Sequence, residues 1–183
     1  MRKVTDTISL FYSTTEDPSS QGRKKLVERV CKNVGQARSV AIHTIHWKDN
    51  IPGGVAERTG QSRINLEVSG AFDIYFGCMG VKYGAGTVDE FKQAIKSHME
   101  KGMPAEVLFA FDETPVNPFG VPDGFSLVRD FRSSLEDYTR HGKSILYFSF
   151  CNEEEFEDRL FRDLNAAVRS LLSRIRGGMI PFS

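Results

Sequence analysis

Phe72-Asp73-Ile74-Tyr75-Phe76-Gly77-Cys78-Met79 runs directly into Gly80-Val81-Lys82-Tyr83-Gly84-Ala85-Gly86-Thr87, and then into Val88–Lys101, where Phe91, Ala94, Ile95 and Met99 fall at helical spacing. An almost continuous apolar run of strand length, a glycine-rich loop and an amphipathic helix make one strand–loop–helix unit. A strand apolar in both directions is covered on both faces, as strands of parallel sheets are. Lys101-Gly102 and then Pro104 stop the helix.

The same unit recurs on either side. Strands are predicted at Thr7–Ser13, Val40–Trp47, Glu106–Phe111 and Ile145–Phe150. Helices are predicted at about Gln21–Val34, Leu127–Tyr138 and Glu153–Ile175. In the last, Phe156, Leu160, Phe161, Leu164, Val168, Leu171, Leu172 and Ile175 form one stripe. Asn152 is placed to cap it, with Glu153 to Glu155 at its positive end and Arg174 and Arg176 at its negative end. The acidic triplet is therefore a helix start and not a metal cluster. Alternating strands and helices imply a parallel sheet with right-handed crossovers and helices on both faces. The expected fold class is α/β, a five-stranded parallel sheet in the flavodoxin-like order 2-1-3-4-5, in a single domain over residues 1–183. The gap Lys48–Ala71 is expected to hold a loop and a short helix near Gln61–Val68, and Pro115–Gly124 a stiff loop.

Composition narrows the function classes. Of 183 residues 40% are apolar and 26% charged, which excludes a disordered chain. Lys plus Arg and Asp plus Glu balance at 24 each, so no nucleic-acid contact is expected of this domain. No apolar run is long enough for a membrane span, and no signal peptide is visible, so a cytoplasmic location is expected. Cys31, Cys78 and Cys151 lie far apart and read as reduced thiols, with Cys78 a small apolar filler of its strand. His43 and His46 point to opposite faces of one strand, and no metal site is expected. His98 and His141 are expected to be solvated.

In a sheet of this order ligands bind beyond the carboxyl ends of the strands, between strands one and three. Ser13-Thr14-Thr15-Glu16-Asp17 and Gly80–Thr87 must meet there. The glycines allow close backbone approach, and the helix start at Thr87 offers free N–H groups. Glu90 has two readings. Thr87-x-x-Glu90 has the spacing of a capping box, which would use the carboxylate on the backbone. Alternatively the carboxylate stands at the mouth of the crevice beside Tyr83 and Ser13, facing a cationic sugar carbon, as carboxylates do in glycoside cleavage. Asp73 is expected to make a structural hydrogen bond, Trp47 to pack at the sheet rim, and Gln61 and Asn65 to share a helix surface. Asp112-Glu113 is a second source of carboxylate at the same edge.

Phe11-Tyr12-Ser13-Thr14-Thr15, Asp17, Arg23, Trp47, Pro52-Gly53, Gln61, Ile64-Asn65, Asp73-Ile74, Lys82-Tyr83-Gly84 and Gly86-Thr87-Val88-Asp89-Glu90-Phe91 occur in that order. The series resembles the TIR-like domains at the N-termini of bacterial STAND-type (NLR-like) NTPases, over roughly Thr7 to Phe111. That family is similar in fold to Toll/interleukin-1 receptor domains and nucleoside deoxyribosyltransferases. In the latter a G-T-x-x-E segment supplies the catalytic glutamate, which here corresponds to Glu90. The resemblance implies an N-terminal effector module of a longer antiviral defence protein. It would cleave the nicotinamide glycosidic bond of NAD, as substrate and not as cofactor, and self-associate when active. Ser13 and Thr14 would then bond a ribose or phosphate, Tyr83 or Trp47 stack on a ring, Lys82 pair with the pyrophosphate, and Thr87 open the helix beneath the ligand. The resemblance also admits a non-catalytic signalling domain that works by self-association, or a free-standing nucleoside deoxyribosyltransferase-like enzyme.

Overall fold

The strand Ile74–Met79 (β3) is buried at all its positions, as a strand at the centre of a doubly covered sheet must be. The computed structural model describes residues 7–15, 20–46, 72–115, 124–140 and 145–177. Within them the chain runs β1 (Thr7–Thr14), α1 (Ser20–Arg38), β2 (Ala41–His46), β3, α2 (Ala85–Lys101), β4 (Glu106–Asp112), α3 (Phe125–Arg140), β5 (Ile145–Phe150) and α4 (Glu153–Arg176). All pairings are parallel and the sheet order is β2-β1-β3-β4-β5, the order expected from the alternation. The short helix expected at 61–68 lies outside the described residues, as do His141 and most of the 115–124 loop.

Alternation along the strands sends side chains into two separate cores. Tyr12, Phe76, Leu108 and Phe148 face α1 and α4, where Val27, Val30, Phe156, Leu160 and Leu164 meet them. Phe11, Tyr75, Phe109 and Ile145 face α2 and α3, meeting Phe91, Ile95 and Phe131. Gly77 lies on the second face, where a Cβ would collide with the Phe109 ring. Asp73 holds β3 to β1: its Oδ2 accepts from Ser9 N and Ser9 Oγ, each at 2.8 Å. This is the structural role its position suggested.

Three expectations need correction. Met99 (57% exposed) and Phe161 (36%) were assigned to apolar stripes but point outward. Phe161 follows Leu160, about 100° around the helix from it, and the sheet is covered by the Phe156, Leu160, Leu164, Ala167, Val168 line instead. His98 is not simply solvated: its Nδ1 lies 2.6 Å from the Pro104 carbonyl, tying the end of α2 to the turn into β4. The histidine pair of β2 does divide between faces, with His46 buried 5.7 Å from the Tyr12 ring and His43 exposed.

The start of α4 follows the cap chemistry read from its sequence. Asn152 Oδ1 accepts from Glu155 N at 2.9 Å, and Glu155 Oε2 accepts from Cys151 N at 2.8 Å. Asn152→Ala is expected to destabilise the fold by about 1 kcal/mol, read as a lower urea midpoint at unchanged slope.

Candidate active site at the β1–β3 edge

The carboxyl end of β1 is fixed against β3 by register: Ser13 lies opposite Gly77 and Thr14 opposite Cys78. Thr15 N continues the ladder to the Cys78 carbonyl at 3.2 Å. The Thr15 side chain then presses on Gly84, leaving no room for a Cβ there. Gly84 is the N-cap of α2, with an ordinary negative φ of −107°. Glycine is needed there for space and not for conformation. Gly84→Ala is expected to cost about 1–3 kcal/mol through overpacking, measured by denaturant unfolding; Thr15→Ala in the same chain, which removes the hydroxyl nearest to an added Cβ, should recover part of it.

This close approach sets where α2 begins. The helix starts at Ala85, with Val88 N bonded to the Gly84 carbonyl at 3.0 Å, and not near Thr87 as the spacing suggested. The shift removes the capping-box reading of Glu90. Thr87 lies inside the first turn and Glu90 in the second, so the capping-box geometry does not arise. The N-cap, Gly84, makes no side-chain cap hydrogen bond. Glu90 instead points to the sheet. It is 3% exposed, and its Oε2 accepts a hydrogen bond from Ser13 Oγ. A carboxylate removed from water needs such donors, because its desolvation is otherwise costly.

Tyr75 completes the cluster. Its side chain leaves β3 on the same face as Ser13, is fully buried, and its Oη donates to the Thr87 carbonyl at 3.3 Å. Burial pushes its phenol well above the usual range, and the Glu90 charge pushes it further, while a hydrogen bond with Ser13 acts the other way. The phenol is therefore neutral and remains a donor. Sequence reading missed Tyr75, because mid-strand tyrosines are ordinary core residues. The available signal was that Ser13 and Tyr75 share the parity that faces α2.

The remaining candidates divide. Thr14 is buried on the opposite face of β1, its Oγ1 donating to the Thr15 carbonyl at 3.3 Å, so it does not join Ser13 and Glu90. Thr87 contributes its carbonyl to the cluster. Lys82 is exposed on the β3–α2 loop. Tyr83 is half-buried and approaches Gly124 at the start of α3. Trp47, Asp17, Gln61 and Asn65 lie outside the described residues. Asp112 belongs to the other face, where its Oδ2 accepts from Arg23 Nη1 at 2.9 Å. Glu113 pairs with Arg132 and accepts from Ser149 Oγ at 2.9 Å. Neither carboxylate of that pair is bonded to Ser13. A groove of about 390 Å³ lies between Gly80-Val81 and α3, lined by Phe111, Asp112, Glu113 and Val128, and Ser13, Tyr75 and Glu90 do not line it.

No family model matches the chain, and no curated protein matches it. Solved structures do. An oxidoreductase from Corynebacterium diphtheriae superposes with a TM-score of 0.52 at 17% identity, over 94% of this chain and 99% of its own. A CMP N-glycosidase, BcmB, from Clostridium botulinum aligns with a TM-score of 0.46 at 13% identity, over 85% of this chain and 98% of its own. BlsM, solved in solution, gives 0.48 at 13%, over 92% and 93%. The likeness is one of fold: an α/β domain with a flavodoxin-like parallel sheet.

Proposed function

We propose that the chain cleaves the N-glycosidic bond of a nucleotide, with NAD the leading substrate and Glu90 the catalytic group. One observation carries this reading. A carboxylate at the carboxyl edge between β1 and β3 is held by a strand hydroxyl, Ser13, and is not used by its own helix cap. That edge is where sheets of this order bind ligands.

The chemistry asks little else of the protein. In NAD the bond from ribose C1′ to the pyridinium nitrogen breaks, and its electron pair quenches the ring charge. Nicotinamide leaves neutral, so no general acid is required. Positive charge develops over C1′ and O4′ of the ribosyl group, where one nearby carboxylate stabilises it electrostatically. Water then adds to C1′ and releases a proton, leaving ADP-ribose. Ser13 orients the carboxylate; Lys82 and Tyr83, on the loop above, are the candidate contacts to pyrophosphate and ring. In keeping with the family resemblance, the domain would act in the cytoplasm as the effector module of a larger defence protein, in self-associated form. Among the described residues no helix is long and apolar enough to cross a membrane.

The test is nicotinamide release from NAD by the concentrated, assembled protein, followed by chromatography. Free nucleosides and CMP serve as rival substrates. Release of nicotinamide supports the reading. Turnover of a free nucleoside alone moves the assignment to a deoxyribosyltransferase-like enzyme, and inertness toward all of them removes it.

A further inference from the structure

We propose that Tyr75 is a positioning residue for Glu90: from β3 it braces the first turn of α2, just ahead of Glu90, and, with Ser13, holds the carboxylate in one orientation. The inference rests on the reading of Glu90 as the catalytic group, but its geometry stands separately. The Tyr75 hydroxyl meets the Thr87 carbonyl, one turn before Glu90 on the same helix. Ser13, whose hydroxyl donates to Glu90 Oε2, shares its face of the sheet. Helix backbone, phenol, serine and carboxylate thus form one buried cluster drawn from β1, β3 and α2. The phenol cannot swing away. Its ring is enclosed by Phe11, Phe72 and Phe91, at centroid distances of 6.1, 6.4 and 6.2 Å. Burial and the Glu90 charge keep it protonated, so it stays a donor throughout the working pH range. A carboxylate that must stand close to a developing cation benefits from such a rigid support, because small misplacements lower the rate steeply.

The experiment compares the full chain with Tyr75→Phe and Ser13→Ala, using two readouts. The first is the 13C signal of the Glu90 side-chain carboxyl, assigned by its loss in Glu90→Gln. The second is nicotinamide release, separated into kcat and KM. In Tyr75→Phe the carboxyl signal is expected to move, and kcat to fall about tenfold with KM within about twofold. A residue that only fills the core would leave that signal in place. Ser13→Ala should move the same signal, and the double variant should lose less in kcat than the product of the two single losses. An unmoved Glu90 signal in folded Tyr75→Phe overturns the proposal, whatever the activity. If Tyr75→Phe does not fold, 3-fluorotyrosine incorporation replaces it: a moved signal supports the contact and an unmoved one overturns it. A parent chain inert toward NAD removes the glycosidase reading alone, since the carboxyl signal still decides whether Tyr75 holds Glu90.

Discussion

Glu90→Gln is expected to fold as the parent does and to release nicotinamide at least about a hundredfold more slowly. The substitution keeps the shape and leaves Ser13 Oγ an acceptor, the glutamine carbonyl. It removes only the negative charge, and charge is what an oxocarbenium-like ribosyl group requires. Stability separates this from a structural role. A carboxylate buried to 3% exposure with a serine hydroxyl as donor carries a desolvation cost. Relieving that cost should leave the melting temperature unchanged or raise stability by up to about 1 kcal/mol. A glutamate retained for packing or capping would show the reverse pattern, with lost stability and no lost rate. Equal turnover by both proteins would acquit Glu90 and direct attention to Glu113.

The second large effect lies on the opposite face of the same edge. Arg23, in the first turns of α1, is 3% exposed and donates from Nη1 to Asp112 Oδ2, whose side chain is 13% exposed. Asp112 Oδ1 also accepts from Thr114 N at 2.9 Å, so one carboxylate ties α1 and the β4 exit together. Asp112→Ala takes away the carboxylate that Arg23 faces and should destabilise the fold by about 3–5 kcal/mol, read from urea unfolding. Replacing both partners by apolar residues of similar volume, as in Arg23→Met with Asp112→Leu, should recover most of that loss. If Asp112→Ala shifts stability by less than about 1 kcal/mol, the pair behaves as a surface ion pair does and the assignment fails. Because Asp112 faces away from Glu90, the double apolar variant should keep its turnover, unlike Glu90→Gln.

Much of the fold was legible in the sequence because its signals are local. Nearly continuous apolar runs such as Ile74–Met79 mark strands covered on both sides. Asn152 with Glu155 and the line Phe156, Leu160, Leu164 mark a capped amphipathic helix. Strand and helix alternation then leaves few topologies, and the observed order is the one it favours. The stripe assignments of Met99 and Phe161 failed because periodicity locates a face but not how far the sheet beneath it extends.

The site depended on contacts that no local pattern encodes. From spacing, Thr87-x-x-Glu90 fits a cap as well as a catalytic segment, and the cap is the commoner use of that spacing. Thr15 pressing on Gly84 moved the start of α2 to Ala85 and carried Glu90 out of reach of the cap. Register opposite Gly77 set Ser13 on the face of α2 and sent Thr14 to the other. Residue types and their order thus came from the chain alone: a glutamate after a glycine-rich loop, a serine at the end of a strand. Which of them touch was decided only in three dimensions, because a one-residue change in helix start or strand parity reverses where a side chain points, and interactions between residues tens of positions apart determine both.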